Sequence, residues 1–497
     1  MQISAAMPGL RLFRRFQSSL NQNQINNDPS GRLNHNFMKK GNRILLSILL
    51  MFFAGGISAS AQSKIALVRY DDDFTILKGD TVKSGLDQLK YIALGRNNFI
   101  SFGGELREQF QWYDNINFGD VPPTFSSTDA TQLMHRFMGH ANVELGNHWR
   151  FFFQLNNTLR LFNDNPVVAE IDENRLSLHQ AFAEYKLTNW NFRLGHQEMY
   201  YGNHRLITFR DGPNTRQAFD GLVVKTKFKN GSLDFFAVSK VISKQYAFDD
   251  ESMHDGLIGI YGTQYFSNQK VGVDYFLVNF QSHARQYNYQ PGFENRETCG
   301  IRLFSNLKTA NFELEGAYQT GRFNDLTIDA YSIMADVNVT VLPEVKGIMG
   351  FAATIASGDK DNTDDKLNTY NLLYAKPAYG LAAPIGATNV LSLYPYFRIN
   401  PVKKLNILAE VFFLSRNSSQ DGTYSPGMTQ NRPRPNGLYN TDKKSLGEFY
   451  VLETNYQHNK NLSFAFDASY FNPGSYPKAT GNGKNITYLS FKSTFKF

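Results

Sequence analysis

One cysteine, Cys299, stands among 497 residues, so neither a disulfide framework nor a multi-cysteine metal centre is open to this chain. Tryptophan occurs three times, and charged residues make up only 19%. No apolar run is long enough for comfortable helical spanning, which takes ~20 residues. The mean hydropathy of −0.39 argues further against a multi-helix membrane protein. Catalytic signatures are missing as well. There is no H-E-x-x-H, no G-x-S-x-G and no G-x-x-x-x-G-K-[ST], and Gly481-Asn482-Gly483-Lys484 lacks the upstream glycine. His135 and His140 lie five apart on a predicted strand, hence on opposite faces, and make poor joint metal ligands. His140 and Asn142 share a face without an assignable serine partner, so a non-enzyme is expected. What the chain has in quantity is aromatic residues: 14%, with 42 Phe and 26 Tyr.

The formal charge of +7 would suggest a polyanion partner, but its location removes that inference. Lys39, Lys40 and Arg43 precede an apolar run from Ile44 to Phe53, followed by Ala59-Ser60-Ala61. A basic region, a short apolar core and an A-x-A site describe a secretory signal peptide over 38–61, with cleavage before Gln62. Residues 1–37, polar and without periodicity, read as a spurious or disordered extension ahead of a start at Met38. Arg11, Arg14, Arg15 and Arg32 against Asp28 give that extension +3, and the signal carries another +3. The mature chain of 436 residues is left with +1. Nucleic acid is excluded as a partner on this ground.

Residues 62–98, with the acidic run Asp71-Asp72-Asp73, form an expected periplasmic segment: a plug, a docking segment or a tail. From 99 to 497 the chain alternates with period two, the mark of half-buried strands. Ile100, Phe102, Leu106, Phe110 and Trp112 share one face, against Ser101, Gly103, Glu105, Arg107, Gln109 and Gln111. Trp149, Phe151, Phe153, Leu155 and Leu159 repeat this against Arg150, Gln154, Asn156 and Arg160. Eight short turns, near residues 146–148, 188–190, 230–231, 268–269, 308–310, 343–344, 401–403 and 458–460, join sixteen strands. With the first and last strands the total is eighteen. Longer connections alternate with the turns, notably 113–133, 198–218, 358–390 and 416–446. Short turns at one end, long loops at the other and an even strand number predict an all-β antiparallel transmembrane barrel of the bacterial outer membrane. The apolar face then meets lipid and the polar face water, whereas a β-sandwich rarely needs so many strands with one aromatic face.

The last strand sets Leu489, Phe491, Phe495 and Phe497 opposite Ser490, Lys492, Thr494 and Lys496. A terminal phenylalanine on such a strand resembles the signal that outer-membrane barrels present to their assembly machinery, an expected partner beside the bilayer and lipopolysaccharide. Strand parity turns Arg107, Arg150, Arg160, Arg193, Lys225, Arg302 and Arg398 inward.

One stretch goes beyond architecture. Leu194 to Gly221 reads LGHQEMYYGNHRLITFRDGPNTRQAFDG. It resembles the alginate-export family of outer-membrane porins at Gly195, Gln197, Tyr201, Gly202, Arg205, Leu206, Arg210, Gly212, Pro213, Asn214, Arg216, Phe219, Asp220 and Gly221. Ala356-Ser357-Gly358-Asp359 and Ser469-Tyr470-Phe471-Asn472-Pro473-Gly474 are similar too. The resemblance implies an eighteen-stranded pore passing an anionic polysaccharide, alginate-like, or related small anions, by diffusion. It places Arg205, Arg210, Arg216 and Asp220 at or near the pore lining. Guanidinium groups suit uronate carboxylates because they stay charged and offer forked donors. The alternative for the same arginines is to hold a loop against Asp211, Asp220 or Glu198. Where the family has arginine after the first glycine, this chain has His196. No cofactor is expected; loop 359–365, with Asp359, Asp361, Asp364 and Asp365, is the one stretch suited to Ca²⁺, without EF-hand spacing. A general solute or efflux porin, a surface-binding scaffold built on loops 358–390 and 416–446, and a barrel enzyme are the alternative functions.

Overall fold

The computed structural model describes residues 65–78, 85–121, 125, 127–163, 172–251, 255–380, 382–433 and 441–497. The expected extension and signal peptide lie outside them.

Eighteen long strands follow one another in chain order: β1 (Phe99–Asp114), β2 (Ala130–Leu145), β3 (Trp149–Asn163), β4 (Asn174–Lys186), β5 (Trp190–Gln197), β6 (Phe219–Phe228), β7 (Gly231–Lys240), β8 (Asp255–Phe266) and β9 (Val271–Tyr287). The second half holds β10 (Gln290–Ser305), β11 (Ala310–Phe323), β12 (Leu326–Leu342), β13 (Gly347–Ala356), β14 (Val390–Val402), β15 (Leu405–Arg416), β16 (Ser445–Gln457), β17 (Leu462–Pro473) and β18 (Ile486–Lys496). Each pairs antiparallel with its neighbours, and β18 pairs back onto β1 through Phe495↔Leu106, Phe491↔Phe110 and Leu489↔Trp112. That last pairing closes the barrel and leaves no free edge, the condition for a sheet in lipid.

The alternation works as expected on the outside. Phe102, Phe110, Leu155, Leu194, Ile258, Leu277, Ile301 and Phe351 are exposed on the outer face. All eight short turns are present, one of them a single 3-10 turn at Pro343–Val345. At the other end, two connections are as short: Asn288-Tyr289 between β9 and β10, and Asn324-Asp325 between β11 and β12. Asn288 (φ 48°), Tyr289 (φ 61°) and Asn324 (φ 49°) take the left-handed conformations that tight hairpins require.

The inner face is not uniformly polar. Towards the loop end, Phe219, Val223, Phe236, Val238, Leu257, Tyr261, Phe276, Phe280, Phe412, Phe449 and Phe471 all point inward and are buried. Two long loops fold in against them, and their Leu206, Ile207, Leu372, Leu373, Tyr374 and Ile385 complete one apolar cluster inside the barrel. Each large apolar side chain so covered contributes about 1.5–3 kcal/mol. The loops are therefore packed like a soluble core. A short helix, α1 (Ser475–Thr480), sits in the connection between β17 and β18, with Tyr476 against Arg416.

At the short-turn end, the segment 65–78 also enters the lumen. Val68 and Tyr70 pack with Phe152, Phe182 and Phe209, so the segment meets the wall and the loop at once. Arg69 donates to the carbonyls of Gly104 (2.7 Å) and Phe497 (2.9 Å).

Candidate functional site: a lumen narrowed by two inward loops

The motif loop 198–218 connects β5 to β6. Its entry is shaped by Gly195 and Gly221, which face each other in register with φ of 131° and 146°. A Cβ on either would run into a backbone carbonyl of the next strand, Ala181 or Ala237. Glycine is needed there because the two strands are crowded from both sides.

The loop is clamped to the β1–β5 wall by charge. Arg216 lies 2.7 Å from Asp211, 3.3 Å from Glu198 and 3.7 Å from Glu105, with its guanidinium 5.0 Å from the Phe209 ring. Arg107 donates to the carbonyls of Asp211 (2.7 Å) and Pro213 (2.8 Å), and Arg136 pairs with Glu105 and, at 2.7 Å, with Asp211. Burial alone would raise the Asp211 carboxyl, but Arg216, Arg136 and Arg107 hold it well below the usual carboxylate range. Asn214 donates to the carbonyls of His135, Leu159 and Asp172. Arg216 and Arg136 thus face the carboxylates of Asp211, Glu198 and Glu105 as opposite charges, which buried ions require, although Arg107 Nε keeps no hydrogen-bond partner.

The second loop, 357–389, pairs with the first through its backbone. Thr208 N donates to Tyr374 O (3.2 Å), Tyr374 N to Leu206 O (3.1 Å) and Lys376 N to His204 O (2.9 Å). Arg210 adopts a left-handed backbone (φ 50°) and donates to Ala375 O (2.7 Å) and to Pro426 O (3.1 Å) in loop 417–444. Three loops are thus tied at one side chain. Asp421 accepts from Asp359 N (2.8 Å), Thr369 Oγ1 (2.7 Å), Gly422 N (2.7 Å) and Tyr424 Oη (2.9 Å). Burial, with the Asp421 charge beside it, pushes the Asp359 carboxyl up to about 7. Within 359–365 the carboxylates do not converge: Asp359 is buried towards Asp421, while Asp361 caps the exposed Thr363.

The sequence-predicted residues divide into three groups. Arg107, Arg150, Arg160, Arg193, Lys225, Arg302 and Arg398 all point inward. Arg150 and Arg193 are occupied by Glu184 at 2.8 and 2.7 Å, and Arg193 lies 4.0 Å from the Tyr70 ring. Arg160 pairs with Asp172 (3.3 Å), Lys225 with Asp234 (3.4 Å), and Arg302 with Asp274 and Glu313. Arg205, Arg210 and Arg216 lie in the inward loop, Arg210 and Arg216 as clamps and Arg205 with one Nη at 2.9 Å from Met334 Sδ.

Asp220 is a correction. It shares strand parity with the exposed Leu222, and pairs at 3.0 Å with His196, which shares parity with the exposed Leu194. Both side chains face outward, away from the lumen, because Phe219 and Gly221 take the inward positions on β6.

What faces the remaining lumen comes mostly from the β11–β18 wall. Glu453 and Asp467 are directly opposite each other on β16 and β17. Lys492, Lys376 and Arg398 lie within electrostatic reach of Glu453, and Lys376 also of Glu313 and Glu410. Lys376, at the tip of the second loop, and Arg398, on β14, are the exposed bases of this belt. Sequence reasoning missed Lys376, Glu410 and Glu453, and read Asp467 on the polar face of its strand without assigning it to the site. Parity alone would have turned the three wall carboxylates inward.

The sequence profile of the alginate export family matches residues 98–488. The chain belongs to that family. No curated protein sequence matches it. Among solved structures, OccK2 (OpdF) of Pseudomonas aeruginosa, in complex with glucuronate, superposes with a TM-score of 0.55 at 11% identity, over 82% of this chain and 99% of that one. OpdK of the same organism, with vanillate, gives 0.54 at 10% identity, over 80% and 98%. OccK8 (OprE) gives 0.54 at 11%, over 82% and 99%. The shared feature is the porin barrel. An alginate export family member with a closed eighteen-stranded wall is an outer-membrane channel protein.

Proposed function

We infer that this alginate export family member passes small hydroxylated anions of uronate type, singly or as short oligomers, by passive diffusion. The observation that carries this reading is the position of Lys376. It projects exposed from the tip of an anchored inward loop, towards a wall that carries Arg398. Fixed cations on the loop and on the wall, both within reach of Glu410 and Glu453, offer a carboxylate successive partners. Glu410, Glu453 and Asp467 keep each contact weak enough for release, as conduction requires. The family and the glucuronate bound to OccK2 (OpdF) favour the same solute class. The two packed loops argue for short solutes over a long polymer, because a chain would have to thread between them. Nothing in the reading calls for chemistry on the solute, so the chain acts as a pore and not as an enzyme.

A second reading, a general solute porin, is favoured by the same three wall carboxylates, which balance the exposed bases. Single-channel recording in planar bilayers separates the two. Block by glucuronate, with no block by glucose at equal concentration, supports the anion channel. Equal block by both, with a cation-side reversal potential in a salt gradient, supports the general porin and rejects the anion reading.

A further inference from the structure

Away from the charged belt, on the β1–β3 side of the loop end, a cavity of about 350 Å³ opens between the wall, the two inward loops and Ile116, Asn117 and Phe125 of the β1–β2 connection. This falls at the small end of the about 300–1,000 Å³ range of ligand sites. Its wall is a run of neutral amides: Gln109 and Gln111 on β1 and Gln132 on β2. Gln132 and Gln111 stand opposite each other in register, and Gln132 donates to Gln111 at 2.5 Å. Gln109 donates to Ser490 at 3.0 Å, which fixes its orientation. The Tyr113 ring, held 4.6 Å from the Tyr488 ring, gives one apolar flank, and Ala383 with Pro384 gives the other.

The floor is the Pro213-Asn214 corner of the motif loop. Three carbonyl acceptors hold the Asn214 amide, and Arg107 donates to the Pro213 carbonyl. A floor fixed this way loses little freedom when a ligand seats. The charged pair at the margin, Arg160 with Asp172, is neutral in sum. Each amide offers a donor and an acceptor side by side, the pattern that vicinal hydroxyls present in return. Apolar flanks suit the C–H faces of a sugar ring. A carboxylate would find no uncompensated cation here and would lose hydration for it.

We propose that this cavity is a binding site for a neutral sugar of mono- to disaccharide size, separate from the charged passage. The site goes beyond the channel reading and stands or falls independently of which ions conduct. The test uses the full chain in detergent, titrated calorimetrically with glucose, maltose, cellobiose and glucuronate. Saturable binding of at least one neutral sugar, not displaced by glucuronate, is expected. The double variant Gln111→Leu, Gln132→Leu keeps side-chain volume near constant and should weaken binding at least tenfold. Ala383→Trp fills the cavity from the opposite side and should abolish it. Heat-modifiable mobility of both variants certifies the folded barrel, and their bilayer conductance serves as the separate readout of the passage. Absence of saturable binding to all three neutral sugars would overturn the proposal. So would unchanged neutral-sugar affinity in both folded variants.

Discussion

Arg216 and Asp211, five residues apart in the same loop, approach to 2.7 Å while Arg216 is turned against the barrel wall. An arginine that the motif alone would place at the solute is spent on holding the constriction in shape. A second partner, Glu198, is fully buried. Removing one member of a buried pair typically costs about 3–5 kcal/mol, because the other is left uncompensated. Arg216→Ala is therefore expected to undock loop 198–218, raising single-channel conductance and current noise. A quiet channel of unaltered conductance would show that the loop is held without it.

The Asp359 site gives a pH dependence of defined sign. Its carboxyl is raised to about 7 by burial and by Asp421, so the folded loop binds a proton that the undocked loop releases. The contribution to loop docking is complete at pH below the ordinary aspartate value. It is lost as pH rises through about 7. Loop noise should grow from mildly acidic to alkaline buffer in the native chain, and Asp359→Asn should flatten the profile. A native profile that quietens as pH rises would contradict the assignment.

Selectivity should follow the belt and not the clamps. A unit charge about 4 Å from a solute in water is worth about 1 kcal/mol, so one exposed base changes a permeability ratio by roughly fivefold at most. Lys376→Gln and Arg398→Gln should each move the reversal potential towards cations. Glu453→Gln should move it the other way. Arg210→Gln, which severs two loop carbonyl contacts, should alter noise more than reversal potential.

Tyr70 anchors the N-terminal segment. Its hydroxyl donates to Glu198 O at 2.9 Å, and its ring meets Arg193, Phe152 and Phe182. Truncating a buried aromatic residue costs about 3–5 kcal/mol. Tyr70→Ala should make residues 65–78 sensitive to protease at the short-turn end while the barrel keeps its heat-modifiable mobility. Undiminished protease resistance would assign the anchoring to Arg69.

Asp220→Asn should leave conductance and reversal potential as they are, because the side chain lies on the outer face. A shift in reversal potential would return Asp220 to the lumen.

Much of the wall was legible in the sequence. A side-chain period of two sets the outward positions directly, and eight short turns counted from polar breaks were enough to number the strands. Two hairpins escaped because Asn288-Tyr289 and Asn324-Asp325 are as brief as the turns of the other end. The inner apolar face escaped for a different reason. Phe276 and Phe280 lie among apolar outward residues such as Tyr275 and Leu277, so the alternation that marks direction vanishes where both faces are apolar. Asp220 was misplaced because a family motif spans a strand boundary, and parity on β6 outranks it: Leu222, two residues on, faces lipid. The partners of Arg107 were beyond reach, since loop and wall residues a hundred positions apart share no local signature. Those of Arg216, Asp211 and Glu198, were legible as the loop-holding alternative to a solute contact.

Arg69 bridges the carbonyls of Gly104 and Phe497, which belong to the first strand and to the chain's last residue. Those two acceptors stand side by side only once the first and last strands have met. A half-built wall offers the Arg69 guanidinium only one of these two acceptors. The Arg69 contact therefore reports closure of the cylinder, because it is complete only where the first and last strands are joined.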